Sequence, residues 1–327
     1  MLEPTGIPTA TSELYDQRYA GDYMDTDAYS VWGHGDLRTQ QVLDTLSLVQ
    51  IQPQSILDYG CGVGAWLGLL SRAFPGAQIY GVDISKTAIE KAKNKFPEYH
   101  LDSFNSLTAP FADAQFGLVF SYHVLEHVDD IDASIKDIAR MLMPGGYAVI
   151  IFPCGNEGSF LDRIMRLVSN SRLPAADGRT VLFFEIADGH VRRLTSSDTV
   201  AIFERNGLNA ITQFFSGHLF GTIDWLCRGT GPAYINRVFS GQPAIGQLAR
   251  VRLELTKRMF LAIHRLILKK SLDLTKKRNP LKQMAVFFVK QMATLTDSIL
   301  TGLCSLEWRF LKRRKNGAAQ YLVFRKV

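Results

Sequence analysis

Cysteine is scarce in this chain: Cys61, Cys154, Cys227 and Cys304 are the only four in 327 residues, widely spaced and with no C-x-x-C pair. That spacing argues against a zinc knuckle and against a secreted disulfide framework. The expectation is four reduced thiols in a cytoplasmic protein. No uninterrupted apolar run reaches the roughly 18 residues that a spanning helix needs. Met1 to Gly6 has neither the basic nor the apolar region of a signal peptide. Acidic residues are thin at one end: residues 231–327 hold 20 of the 37 Lys and Arg but 4 of the 31 Asp and Glu, so that part is about +16 and the rest about −10. Such a split suggests a polyanionic partner, either a membrane surface or a nucleic acid. No RNA-binding signature or aromatic and basic strand platform accompanies it, so nucleic acid is the poorer fit. With 46% hydrophobic and 21% charged residues, the composition is that of a globular protein.

What is present begins at Ser55-Ile56-Leu57, an apolar run followed at once by Asp58-Tyr59-Gly60-Cys61-Gly62-Val63-Gly64. This reads as a buried strand, a glycine turn and a helix. Glycines belong where the backbone turns sharply and where a ligand must approach main-chain N–H groups without a Cβ in the way, and the next helix starts with unpaired donors. A dinucleotide loop wants G-x-G-x-x-G. Here the third glycine comes one residue early and Ala65 holds the later place. A carboxylate at position 58 would repel a pyrophosphate and attract an ammonium. The ligand expected beside this loop is therefore cationic.

On these residues the chain resembles the class I S-adenosylmethionine-dependent methyltransferases, whose first motif is a hydrophobic strand followed by acidic-x-Gly-x-Gly-x-Gly. The resemblance implies S-adenosyl-L-methionine as cofactor, with Asp58, Gly60, Cys61, Gly62 and Gly64 around it. Ile79 to Ser85 looks like a second strand ending in Asp83 and Ile84, where this family's acid accepts both ribose hydroxyls; a carboxylate offers two acceptors to a vicinal diol. Glu98 to Phe104 looks like the third strand. Asp102 and Asn105 are alternatives for the adenine amino group, with Ser103 beside them. Phe116 to His127 resembles the fourth strand and the loop behind the sulfonium, which adds Ser121 and Tyr122, and Leu142 to Ile151 the turn and fifth strand. One departure is Gly117, where the family usually has an aspartate.

The fold class expected is α/β, a Rossmann-like doubly wound sheet, because strands and helices alternate up to residue 153, and the resemblance implies an antiparallel last strand. Ligands of such sheets bind at the carboxyl ends of the strands. Residues 1–35 form an N-terminal segment with Tyr15, Tyr19, Tyr23, Tyr29 and Trp32. Two readings stand for it, a cover over the cofactor or aromatics packed on the surface. The methyltransferase domain is placed at 36–216, with a substrate lid around 156–190 and a sixth strand near Leu208 to Phe215. Gln320 to Val327 alternates like the seventh strand, placed at 319–327. That leaves 217–318 as an insertion far longer than a hairpin. Within it Val251, Leu255, Met259, Ile263, Leu266 and Ile267 recur at helical spacing among basic residues. Beyond Pro280, Met284, Phe288, Met292, Leu295, Ile299, Leu303, Leu306 and Phe310 form a second apolar face ending in Lys312-Arg313-Arg314-Lys315. Two readings again stand: helices lying on an anionic bilayer through residues 250–315, or a hairpin burying its stripes against itself or the main domain.

Methyl transfer to a hydroxyl needs donor and acceptor in line and a base for the proton. His123 and His190 are the base candidates. His123, Glu126 and His127 share one face if a helix starts at His123. This spacing also resembles the E-x-x-E-H metal motif of the ubiquinone-pathway O-methyltransferases, with His123 in place of the first Glu. Leu-Glu-His is common in class I enzymes that need no metal, so a histidine base is the preferred reading, and Glu126 and His127 would brace the cofactor loop. The function expected is O-methylation of a small amphipathic or lipid-linked acceptor at a membrane surface. The alternatives are a nicotinamide-dependent oxidoreductase, or a non-catalytic protein that keeps the cofactor fold and works through its basic insertion.

Overall fold

The computed structural model describes residues 12–20, 35–104, 108–163, 172–174, 180–182, 190–229, 235–236, 246–276 and 279–327. Seven strands make one sheet: β1 Ser55–Tyr59, β2 Gln78–Asp83, β3 His100–Ser103, β4 Phe116–Tyr122, β5 Leu142–Pro153, β6 Leu208–Ser216 and β7 Ala319–Lys326. Their order is β3-β2-β1-β4-β5-β7-β6. The first five are parallel, and β7 runs antiparallel to both β5 and β6. A separate two-stranded hairpin pairs Arg172–Pro174 with Thr180–Leu182.

Side chains alternate along each strand, and both faces of the sheet are apolar. Ile56, Phe120, Val149, Ile151 and Val323 join one core with Leu67, Leu70 and Ile89. Leu57, Val119, Ala148, Ile150 and Phe324 join another with Ile135, Ile138 and Phe203. Covering helices on both faces are what a parallel sheet buried on both sides requires. They are α2 Gly35–Leu46, α3 Leu67–Ala73, α4 Lys86–Lys95, α5 Ile131–Met141 and α6 Ser196–Arg205, while α1 Ser12–Ala20 packs through Tyr19 on Val63 and Ala88. The N-terminus of α6 is set by Thr195, whose hydroxyl accepts from the Asp198 N–H.

At Gly117 an added Cβ would lie 2.9 Å from the Pro53 Cβ and 3.1 Å from its Cα. The strand backbone sits against the proline there, which leaves no room for the aspartate that the resemblance implies.

Between β6 and β7 lie α7 Phe220–Asp224, a π-helical turn Trp225–Gly229, α8 Gln247–Leu268, a 3-10 turn Lys269–Ser271 and α9 Pro280–Leu311. Pro280 occupies the first turn of α9, and Asn279 caps it by accepting from the Lys282 N–H. One side of this pair is buried through Phe260, Ile267, Leu300 and Cys304. The apolar face expected on α9 is a different one. Every residue named for it except Leu303 is 51–72% exposed, because the helix turns a second stripe, with Ala293, Leu300, Cys304 and Trp308, toward the protein. All four cysteines are buried and unbridged. Among the described residues no helix is long and apolar enough to cross a membrane.

Candidate active site

The chain reverses direction across the sheet between β1 and β4, which opens a crevice at the carboxyl ends of these strands. The loop after β1 fills its floor. Gly60, Gly62 and Gly64 have φ of 82°, 53° and 83°, a left-handed backbone that L side chains rarely adopt. Space is equally restrictive: a Cβ on Gly60 would sit 2.2 Å from Val124 Cγ2, and one on Gly62 2.7 Å from Tyr19 Oη. The amides of Gly60 and Cys61 both donate to the Val82 carbonyl, at 2.8 and 2.9 Å.

Asp83 ties this loop to the next. Its Oδ2 accepts from the Gly62 N–H at 2.8 Å and its Oδ1 from the Ser85 N–H at 2.9 Å. Burial lifts its carboxyl to about 6 against the effect of those bonds. Each oxygen keeps a second lone pair, as a diol acceptor would need. Ser85 also donates to Asp16 Oδ1 at 2.6 Å, and Asp16 takes the Thr87 N–H at 3.0 Å, so α1 is clipped to the start of α4. Tyr19 is thereby held over the glycine loop. Of the aromatics in residues 11–35, Tyr15 and Tyr19 lie on α1, while Tyr23, Tyr29 and Trp32 fall outside the described residues. Nothing in the sequence links Asp16 to Ser85.

Asp58 is 1% exposed, and its Oδ2 has no hydrogen-bond partner. Burial first, then the nearby Asp83, pushes its carboxyl well above the usual carboxylate range. An orphaned buried carboxyl beside a loop that admits no Cβ fits a ligand that brings an ammonium, and the methionine portion of S-adenosylmethionine does so. The Ser121 Oγ is another buried atom with no partner. Cys61 is buried and its thiol raised well above its ordinary value by burial and by both aspartates, which suits a packing role. Ile84 is half-buried after Asp83, and Asp102 is exposed with one carboxylate oxygen turned back to the Ser103 N–H. Asn105 lies outside the described residues. Tyr122 is buried with its ring 4.7 Å from that of Trp66, a neighbour that the motif pattern did not indicate.

The four residues of the base and metal readings meet just beyond β4, although not as a helix. Residues 123–129 form a turn in which the His127 N–H bonds the Val124 carbonyl and His123 takes φ 57°. A histidine in that region costs on the order of 1 kcal/mol, and the His123 N–H bond to Ile151 O at 2.8 Å helps to hold it. The expected helical face is absent, yet His123 Nδ1 still reaches Glu126 Oε1 at 2.8 Å. Glu126 is 1% exposed. Burial raises its carboxyl, but His123, His127 and His190 outweigh that and bring it to about 2. His190 arrives from the far side, its ring 4.9 Å from that of His127, and desolvation lowers it to about 4. Ligand-type atoms of Glu126, His127 and His190 lie within 4.8 Å of one another, a set able to hold a metal ion. His123 stands outside that set. It shares Glu126 Oε1 with His127, at 2.8 and 3.9 Å, but His190 takes its place in the metal-capable group, which is therefore not the one that the spacing indicated. The lid region between 164 and 189 is almost wholly outside the described residues.

A family model described as a methyltransferase domain matches residues 31–213. A tocopherol O-methyltransferase of Arabidopsis thaliana is 27% identical over 165 residues, 44% of this chain and 47% of its own length. An O-methyltransferase of Penicillium expansum is 28% identical over 189 residues, 54% of this chain and 67% of its own. The chain thus spans about half the length of the first of these, and 40% of a ubiquinone/menaquinone C-methyltransferase from Desulfotalea psychrophila that is 35% identical over 100 residues. Among solved structures, a [4+2]-cyclase superposes with TM-score 0.52 at 15% identity, covering 98% of both chains, a likeness of fold alone. The family model covers more than half of the chain, and its span takes in the glycine loop, Asp58, Asp83 and the His123–Glu126 turn: the chain belongs to the class I S-adenosylmethionine-dependent methyltransferases.

Proposed function

We propose that the protein transfers the methyl group of S-adenosylmethionine to a hydroxyl oxygen of a small amphipathic or lipid-linked acceptor presented at a membrane surface. The observation that carries the O-directed reading is the 2.8 Å hydrogen bond between His123 Nδ1 and buried Glu126. The neighbouring histidines hold the Glu126 carboxyl low, at about 2, so it accepts, Nδ1 donates, and the remaining ring nitrogen of His123, Nε2, is the one left for a proton from the acceptor. Nε2 has no partner among the described residues, and the side chain is 36% exposed.

Bound S-adenosylmethionine supplies an electrophilic methyl group on a sulfonium. The chain's own residues do the rest. Asp58 balances the ammonium, Asp83 accepts from the ribose hydroxyls, the glycine loop, which admits no Cβ, leaves room for the methionine portion, and Tyr19 on α1 covers them. His123 Nε2 takes the proton of the acceptor hydroxyl as that oxygen becomes the nucleophile, and the Glu126 carboxylate offsets the imidazolium charge. Relatives whose names specify O-methylation support the same reading.

The test is methyl transfer from labelled donor to a panel of phenols and long-chain alcohols. His123→Ala should lower kcat by roughly 10²–10⁴-fold with donor affinity unchanged. Full activity in that variant, or transfer confined to carbon or nitrogen acceptors, would overturn the proposal.

A further inference from the structure

The two long helices of the region between β6 and β7 each carry two apolar stripes, and only one is used. On α9 the buried stripe includes Ala293, Leu300, Cys304 and Trp308. Leu281, Met284, Phe288, Met292, Leu295 and Ile299 follow one another at steps of 3, 4, 4, 3 and 4 residues, each 53–75% exposed. That stepping keeps them on one side of the helix, away from the buried stripe. The line continues through Leu306 to Phe310, so at 1.5 Å per residue it is about 44 Å long. On α8, Leu248, Val251, Leu255 and Met259 repeat the arrangement, 50–65% exposed, opposite Phe260, His264 and Ile267. A line of exposed apolar side chains this long on α9 marks a binding face.

Charge decides what binds there. Residues 246–315 hold 17 Lys and Arg and 4 acids. All four acids are already engaged: Glu254 with Lys257 and Arg258, Asp273 with the Thr275 N–H and hydroxyl, Asp297 with Arg228 and Lys270, and Glu307 with backbone amides. The exposed cations include Arg252, Arg258, Arg265, Lys282, Arg309 and Arg313. A second copy docking through the same face would bring positive against positive, and a nucleic acid would leave the apolar line in water. An anionic lipid surface satisfies both features, since acyl chains take up the apolar line while headgroups neutralise the cations.

We infer that the α8–α9 face is a lipid-interface surface that seats the protein on an anionic leaflet without spanning it. The inference deepens the membrane side of the proposed function and rests on that reading only for the location of the acceptor.

The experiment is co-sedimentation of the full chain with vesicles of phosphatidylcholine alone or with about 30% phosphatidylglycerol, without donor or acceptor. The expected result is at least tenfold tighter binding to the anionic vesicles. It should weaken in high salt and with Arg309→Glu plus Arg313→Glu, and fall more than tenfold with Met292→Glu plus Ile299→Glu. These positions are exposed, so melting temperature and donor affinity stay as in the parent, and Phe288→Ser repeats the apolar test with a milder change. Four results would each overturn the inference: no binding to anionic vesicles, ladder variants that bind like the parent, a dimer that those variants dissociate, or duplex RNA displacing the vesicles. Failure here leaves methyl transfer standing, and failure of methyl transfer leaves the vesicle result standing.

Discussion

The imidazole of His123 and the carboxylate of Glu126 meet at 2.8 Å through Nδ1 and Oε1, three residues apart on a turn rather than on a helix. The contact depends on the left-handed φ of 57° at His123, an uncommon conformation for a residue that carries a Cβ. Backbone strain at the carboxyl end of β4 is thus coupled to the position of the base candidate His123, whose side chain is 36% exposed.

That coupling separates charge from geometry in a test. Glu126→Gln retains an acceptor for Nδ1 and removes the negative charge that offsets an imidazolium. We expect kcat to fall roughly 10–100-fold while the KM for acceptor and the Kd for donor stay within about twofold. Single-turnover rates and calorimetry measure the two sides. Equal losses in kcat and donor affinity would mean that Glu126 only braces the cofactor loop.

Much of this arrangement was legible in the sequence because glycines and strand-end acids report backbone geometry directly. Gly60, Gly62 and Gly64 lie where the chain needs positive φ, and Asp58 and Asp83 cap strands whose apolar runs are buried on both faces. That the final eight residues form a strand followed from their alternation, and its antiparallel direction from the resemblance to the family. Other features rest on tertiary packing, which no local pattern encodes. The spacing of His123, Glu126 and His127 suits a helix, yet the Ile151 carbonyl takes the His123 N–H and holds a turn instead. Asp16 reaches Ser85 across 69 positions. On α9 one stripe of each kind exists, and periodicity alone does not say which faces inward; Trp308, bonded to Asp44 at 2.8 Å, helps to fix that choice.

Asp58 makes donor binding depend on pH. In the free protein burial and Asp83 raise its carboxyl well above the ordinary value, so the neutral form persists to higher pH than for an exposed aspartate. An ammonium beside it favours the ionised form and lowers that value. Between the two values, binding releases a proton and affinity rises with pH. Burial raises the neighbouring Asp83 as well, to about 6, and the two carboxyls act as a pair. Calorimetry in buffers of different ionisation enthalpy should detect the released proton. Asp58→Asn should remove most of the release and weaken the donor roughly 10–100-fold. Affinity independent of pH, with no proton exchanged, would show that Asp58 does not meet the ammonium.

Glu307, near the end of α9, governs how the inserted helices join the sheet. Its carboxylate accepts from the amides of His218, Leu219, Phe220 and Gly221 at 2.6–3.1 Å, which satisfies the otherwise unpaired donors where α7 begins. The side chain is 6% exposed, so water cannot readily replace it. Glu307→Ala leaves four donors without an acceptor and should cost roughly 2–4 kcal/mol of stability. Glu307→Gln, which keeps one acceptor oxygen but turns an amide toward the other donors, should fall between. Denaturant unfolding gives the magnitude, and hydrogen exchange locates it: protection should drop at residues 217–224 and along the end of α9, with β1 and β2 unchanged. If protection at 217–224 survives in Glu307→Ala, the junction is held by the apolar contacts of Trp308 and Phe214, whose rings lie 5.8 Å apart, and the carboxylate is dispensable.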